Sequence, residues 1–440
     1  DACRVRASMV LLQTMSLRVA VVGSGISGLT AAWLLNRAGH RTVLFERRDR
    51  VGMDAHSAEM PAGPDDVGVD VPVRVFNRRL WPSLSALADE LEVPSRAVDV
   101  ASSFSEQTGE TFFRYGTVNA ASVSLPYVPL RYLSARCLAI IAGVTQFRLS
   151  AGLDLHNEAL SDRPLRDYLA AGEYGETFVE DFLYPAIGTI CTCSRESVAE
   201  YPARVIIRSL FDIFLAGRLR RFNGGTRQIV RRLVDNLPDI RLGVGVQAIE
   251  PSNGHIDLKL SDGTERFDHV VVATQANHAI GLLPTDAKRE QSILDKFRYD
   301  QLDVVVHTDP SLMPQNKKDW ASVNFFVTPD RDQAASTLWV NRVEVQFEGH
   351  APVFQTHNPL VPPAPDKEVL RVTLQRPVVN ADSLTAYHEL QALHREPDRR
   401  LWFVGSYATR GMPLLESGVH SSQQTLAHLD VEAPWALAAE

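Results

Sequence analysis

Cysteine is scarce in this chain: Cys3, Cys137, Cys191 and Cys193 are the only four in 440 residues. Four cysteines without a double-paired spacing supply neither the disulfide framework of a small secreted domain nor a zinc-type ligand set, so a reducing compartment is expected and no metal. Cys191-Thr-Cys193 leaves two readings open. One is a metal or redox pair; the other is two small buried apolar side chains, the ordinary behaviour of free cysteine. Positive charge is also short. With 45 Lys and Arg against 53 Asp and Glu, the formal charge is −8 and the pI is near 5.9. That composition offers no general basic surface for nucleic acid, whose binding draws on counterion release at phosphates. No apolar run approaches the roughly 20 residues that span a bilayer, so no transmembrane segment is expected. Internal repeats and low-complexity tracts are missing too, and Pro359–Pro365 reads as a stiff connector. What is there is 45% hydrophobic and 22% charged, a globular composition long enough for two or more domains.

The opening residues are almost free of acids and hold Arg4 and Arg6. They read either as the end of an organelle-targeting segment or as upstream coding sequence, with folded structure expected from about Ser16 and a cytoplasmic or organellar location. Leu17–Val22 is a short β-branched run suited to a buried parallel strand. Ile26–Ala38 follows with helical apolar spacing and stops at Gly39. Between them lies Gly-Ser-Gly-Ile-Ser-Gly, residues 23–28. In a strand-to-helix turn of this kind Gly23 permits the tight reversal, Gly25 lets backbone approach a pyrophosphate, and Gly28 lets the helix pack on the strand. Arg41–Phe45 is a second strand. Glu46 ends it roughly twenty residues after the glycines, where a carboxylate accepts hydrogen bonds from ribose hydroxyls. The pattern predicts a dinucleotide site and leaves NAD and FAD open.

Glu46-Arg-Arg-Asp-Arg-Val-Gly52 resembles the E-x-R-x-R-x-G-G stretch of FAD-dependent amine-oxidase-like flavoproteins. The resemblance implies FAD as cofactor, and an α/β fold in which a Rossmann-like FAD-binding domain of the amine-oxidase type carries an inserted α+β substrate domain. Met53 and Asp54 depart from the motif. By the same resemblance the cofactor contacts comprise Gly23, Gly25, Ile26, Ser27, Gly28, Glu46, Arg47, Arg48, Met53, Arg74 and Val75. Val246 stands on the adenine side, within Gly243–Ile249, which reads as a strand. Gly405 and Ser406 meet phosphate and ribitol, while Gly418 and Val419 open a last helix, Glu416–Leu429, toward the flavin pyrimidine edge. The FAD-binding domain is then discontinuous, 16–75, 224–285 and 395–430. Segments 76–223 and 286–394 form the substrate domain, 1–15 an extension and 431–440 a tail.

Several further stretches are more specific: Val69–Pro82, Phe297–Tyr299, His307–Asp309, Trp320–Asn324, Asn358–Leu360 and Trp402–Gly405. Together they are similar to a group of FAD/NAD-binding proteins that resemble the N-terminal oxidase-like domain of plant cyclopropane-fatty-acid synthases. Departures from that group occur at Pro72, Cys191-Thr-Cys193, Arg376–Asn380 and Met412–Leu415. Aligning Leu415-Glu416 with the Met-Glu of amine oxidases puts Leu414 where those enzymes carry a cage aromatic. Met412, Leu414 and Leu415 would instead line a pocket for hydrocarbon. The expected reaction is hydride transfer from an unsaturated acyl chain or acyl lipid to the flavin, followed by reoxidation by oxygen or another acceptor. Tyr407 and Glu416 are the candidate catalytic side chains. Oxidation of an amine or amino acid on the same fold is the first alternative, and a non-catalytic flavin-binding or scaffold protein the second. Arg204–Phe222, apolar with Arg208, Arg218, Arg220 and Arg221, reads as one helix, either buried with a solvated basic end or resting on a membrane surface. His56, His307 and His357 read as structural.

Overall fold

The computed structural model describes residues 16–52, 56–62, 65–98, 101–120, 123–154, 157–215 and 219–436. The expected extension 1–15, the motif departures Met53 and Asp54, Arg218 and residues 437–440 of the expected tail lie outside the described residues.

Strand β1 (Arg18–Val22) is the centre of a five-stranded sheet. On one side of it lie β2 (Arg41–Glu46) and β10 (Ile240–Leu242), on the other β14 (His269–Val272) and β20 (Leu401–Phe403). All four pairings are parallel. Side chains alternate across a strand, and here both faces are buried, which is why β1 reads as an unbroken apolar run. Val19 and Val21 pack toward helix α1 (Ile26–Arg37), while Ala20 and Val22 pack toward Ile249, Leu258 and Phe267. Those three belong to an antiparallel sheet of β11 (Ala248–Ser252), β12 (His255–Leu260) and β13 (Gly263–Phe267). Gly243–Gln247, expected as strand, is a loop instead. The Gly243 and Val244 N–H groups bond back to the carbonyls of Arg48 and Glu46, at 2.8 and 3.0 Å.

An eight-stranded sheet is assembled from two stretches far apart in the chain. The first gives β6 (Ser102–Glu106), β7 (Thr111–Ala120) and β8 (Val123–Tyr127). The second gives β15 (Tyr299–His307), β16 (Val323–Val327), β17 (Ala334–Trp339), β18 (Phe354–His357) and β19 (Glu368–Pro377). They join where β16 runs parallel to β6. A hairpin of β3 (Ser57–Ala62) and β4 (Asp65–Asp70) follows the five-stranded sheet's β2 in the chain and packs Ala58, Met60 and Val69 with Leu302 and Val304 of β15. Helix α2 (Pro82–Glu90) buries Leu84 and Leu87 in the layer around α1, and Trp435 stacks on Trp33 of α1 with ring centroids 6.2 Å apart.

Arg204–Phe222 is not one helix. Helix α4 (Ala203–Leu215), which follows α3 (Tyr184–Cys191), gives way to β9 (Arg220–Phe222), paired antiparallel with β5 (Ser95–Ala97). Arg221 is fully buried, in ion pairs with Asp70 (3.1 Å) and Glu344. A guanidinium so placed clamps three chain segments together and is unavailable to a membrane surface. After it, α5 (Arg227–Val234) returns the chain to the layer around α1.

Candidate functional site

Parallel strands bring their carboxyl ends to one edge of a sheet, and the turns that leave that edge form the usual ligand crevice. Gly23 leaves β1 there with φ +102°, its N–H bonded to the Phe45 carbonyl at 2.8 Å. A Cβ on Gly28 would collide with the Gly23 carbonyl oxygen, whereas one on Gly25 would meet nothing within 4 Å. Two of the glycines thus answer to packing and Gly25 to open space. Helix α1 starts at Ile26 without a side-chain cap, leaving its first N–H groups directed outward.

Glu46 has local partners that the motif did not foretell. Its Oε2 accepts from the Ser24 N–H (3.0 Å) and hydroxyl (2.6 Å), and its Oε1 from the Arg48 N–H (2.9 Å). Ser24 Oγ in turn accepts from the Gly52 N–H at 2.8 Å. The carboxylate therefore pins the 47–52 loop to the glycine turn. The Arg48 guanidinium reaches His56 Nε2 at 2.9 Å, and Arg47 lies against Gly245. Val246 packs, half-buried, on the layer holding Ile249.

The last helix, α6 (Leu415–Leu426), also begins without a side-chain cap. It lies tightly on α1: a Cβ on Gly418 would come within 2.7 Å of Ile26 Cγ2, and the Ser422 hydroxyl donates to the Ser27 carbonyl at 2.8 Å. Val419 is fully buried behind this contact. Gly405, just past β20, donates its N–H to Ser421 Oγ at 3.0 Å. A single cavity of about 1900 Å³ borders both helix starts. Gly25, Ile26, Ser27, Arg74, Val75, Gly405 and Ser406 line it together with Met412, Leu414 and Leu415. Glu46, Arg47, Arg48 and Val246 do not.

The two candidate catalytic side chains are placed differently from a free acid or base. Glu416 accepts the Ser83 and Leu84 N–H groups, at 3.0 and 2.8 Å, at the start of α2. Burial raises its carboxyl above the ordinary range, and both oxygens are engaged in tying α6 to α2. Tyr407 is buried under Gly405 and tilted against Phe297, with ring centroids 4.9 Å apart. Its hydroxyl has no partner among the described residues, and burial pushes its pKa well up. Cys191 and Cys193 are buried, their thiols pushed up by burial, Cys193 to about 12. No group of three His, Cys, Asp or Glu capable of holding a metal occurs among the described residues.

Sequence reasoning named Arg74 as a cofactor contact and missed Arg376 on the same cavity wall. Arg74 lines the wall with its Nη1 buried and unpartnered among the described residues. Burial lowers its pKa to about 10, against the opposing pull of Asp70. Arg376 lines the same wall. The signal available in sequence was the departure at Arg376–Asn380, without a location in space. Two uncapped helix starts, an open glycine and an orphaned guanidinium on one cavity fit an extended, doubly anionic dinucleotide.

These features define an FAD-dependent oxidoreductase. Residues 26–336 match the flavin containing amine oxidoreductases, and the chain belongs to that family. It is 25% identical over 293 residues to the (S)-6-hydroxynicotine oxidase of Paenarthrobacter nicotinovorans, covering 65% of this chain and 67% of that protein. It is 39% identical over 280 residues to a Mycobacterium tuberculosis protein assigned by name to the flavin-containing monoamine oxidases, covering 60% of this chain. The chain spans 58% of the length of that relative. Among solved structures, a fatty acid isomerase from P. acnes superposes with TM-score 0.67 at 15% identity over 93% of this chain and 98% of the other. Putrescine oxidase bound to putrescine gives 0.64 at 14% identity, covering 94% and 99%. Both likenesses concern the fold. No helix among the described residues is long and apolar enough to cross a membrane.

Proposed function

We propose that the chain oxidises an unsaturated acyl chain or acyl lipid with FAD bound in the cavity between the starts of α1 and α6. The finer resemblance, to the oxidase-like domain of plant cyclopropane-fatty-acid synthases, belongs to this proposal. The observation that carries it is the cavity wall, where Met412, Leu414 and Leu415 are joined by Phe178, Phe182 and Ile187 in an apolar lining; by sequence alignment Leu414 corresponds to a cage aromatic of the amine oxidases. In this reading Gly25, Ile26 and Ser27 bind pyrophosphate, Glu46 the ribose, and the first turn of α6 faces the pyrimidine edge. Bound FAD supplies an acceptor for a hydride equivalent from a substrate C–H bond. The apolar residues hold that carbon, exclude water and give an alkyl chain its binding energy, at about 25 cal/mol per Å² of apolar surface buried. The division into FAD-binding segments 16–75, 224–285 and 395–430 and substrate segments 76–223 and 286–394 belongs to the same proposal.

A second reading, oxidation of an amine, draws on the names of the relatives. Anaerobic stopped-flow mixing of the holoprotein with an unsaturated fatty acid, its methyl ester and a panel of amines distinguishes the two, because a true substrate bleaches the oxidised flavin band. We expect an acyl compound to do so, and Leu414→Asp to abolish that reduction with FAD still bound, since the new carboxylate must be desolvated against an alkyl chain. Flavin reduction by amines alone refutes the acyl reading; reduction by neither class favours a non-catalytic protein.

A further inference from the structure

Arg376, near the end of β19, donates Nε–H to Thr192 Oγ1 at 2.5 Å and Nη2–H to the Pro413 carbonyl at 3.3 Å. Neither partner is charged. Among the described residues no carboxylate makes an ion pair with it, and its two side-chain hydrogen bonds leave Nη1 without a protein acceptor. The groups whose negative charge would favour its own are Cys193, Tyr201 and Cys191, and burial keeps all three protonated at neutral pH. Arg74 is near enough for the two cations to oppose one another. The Asp70 carboxylate close to Arg74 is already held by Arg221 at 3.1 Å and the Thr226 N–H at 2.9 Å. His357, beside them on the cavity wall, is kept neutral by burial and by Arg376, its pKa lowered to about 4. A charge withdrawn from water costs free energy unless an opposite charge meets it. On this part of the wall, where Ile187, Ile190 and Leu414 also line the cavity, the Arg376 guanidinium has no carboxylate paired with it among the described residues. The α1 start, with Gly25 to Ser27, is suited to the FAD phosphates, whereas Arg376 is bonded to the Met412–Leu415 segment. The spare anion site is on the substrate side.

We infer that Arg376, with Arg74 behind it, binds the carboxylate of a free acid whose apolar chain lies along Ile187, Ile190 and Leu414. The inference rests on the reading that this cavity is the substrate site. A planar guanidinium with a free edge matches a carboxylate in shape and charge, and the same cation repels an ammonium group. It therefore selects acids over esters and against amines.

The test is calorimetric titration of the FAD-loaded protein with octanoate, methyl octanoate and octylamine at pH 7.5. Octanoate is expected to bind at least tenfold more tightly than the ester, and octylamine more weakly than either. Arg376→Met should reduce octanoate to the affinity of the ester while leaving the ester unchanged, and Arg376→Lys should retain part of the preference. Equal binding of acid and ester by the parent, or equal loss of both in Arg376→Met, overturns the inference. Should Arg376→Met fail to load FAD, the acid-to-ester ratio of the parent and of Arg376→Lys decides. Acid-selective binding of octanoate, with no flavin bleaching by the unsaturated fatty acid or its methyl ester, would instead defeat the acyl-oxidation reading and leave the carboxylate site standing.

Discussion

At the scale of the residue, Glu46 joins local architecture to the expected contact with ribose. Its two oxygens serve Ser24 and Arg48 and so fix the loop that follows β2. Removing the carboxylate in Glu46→Ala strands the Ser24 and Arg48 N–H groups and deletes the proposed ribose acceptor. FAD affinity should fall about ten- to a hundredfold, on the order of 1–3 kcal/mol. Ser24→Ala, which removes one local donor and keeps the carboxylate, should cost less. Fluorescence titration of the apoprotein with FAD measures both, and parent-like affinity in Glu46→Ala would show that the carboxylate makes no contact with the cofactor.

At the scale of the element, the contrast between two glycines separates packing from binding. A Cβ at Gly28 runs into the backbone carbonyl of Gly23, which cannot rotate away, so Gly28→Ala should force α1 off the turn. Overpacking of this kind costs about 1–3 kcal/mol, and both the thermal midpoint and the FAD content should fall. Gly25 has extended backbone at φ −61° and ψ 175°, open to any residue, with empty space beyond it. Gly25→Ala should therefore keep the midpoint and lose FAD. Full FAD loading in Gly25→Ala would mean that the pyrophosphate does not pass there. The β1–α1–β2 unit was legible in sequence because its determinants are local: apolar periodicity, three spaced glycines and an acid at a strand end. Gly243–Gln247 was misread because alternating Gly and Val imitate the period of a strand, whereas Gly243 has φ +69° and the segment bonds to the 46–48 backbone. Arg220–Phe222 was misread as helix for the opposite reason. Its conformation follows from pairing with Ser95–Ala97, and from partners of Arg221 that stand 151 and 123 residues away. No local pattern encodes that clamp, nor the meeting of Arg74 with Arg376 on one cavity wall.

At the scale of the whole molecule, stability depends on histidines that folding keeps neutral. His307, His357 and His394 are 0%, 6% and 1% exposed, and burial lowers their pKa values to about 4, 4 and 3. His307 shows why protonation is resisted: its Nδ1 accepts the Asp309 N–H at 3.1 Å, so Nε2 carries the proton it shares with Thr356 at 2.7 Å. An unfolded chain takes up these protons below about pH 6.5 while the folded chain does not. Each depressed pKa thus contributes stability that is fully present above pH 6.5 and is lost as pH falls toward the folded value. The slope approaches about 1.4 kcal/mol per pH unit for each such histidine. Glu344 and Glu416, whose carboxyls burial raises, act in the opposite sense, gaining protons in the folded state first. Their effect begins nearer the carboxylate range, which leaves pH 7 to 5 chiefly to the histidines. Unfolding free energy from urea titrations should therefore decline across that interval, and His307→Gln, which retains an acceptor and a donor without a titrating ring, should decline less steeply. A parent protein equally stable at pH 7 and pH 5 would show that these rings are free to take up protons in the folded state.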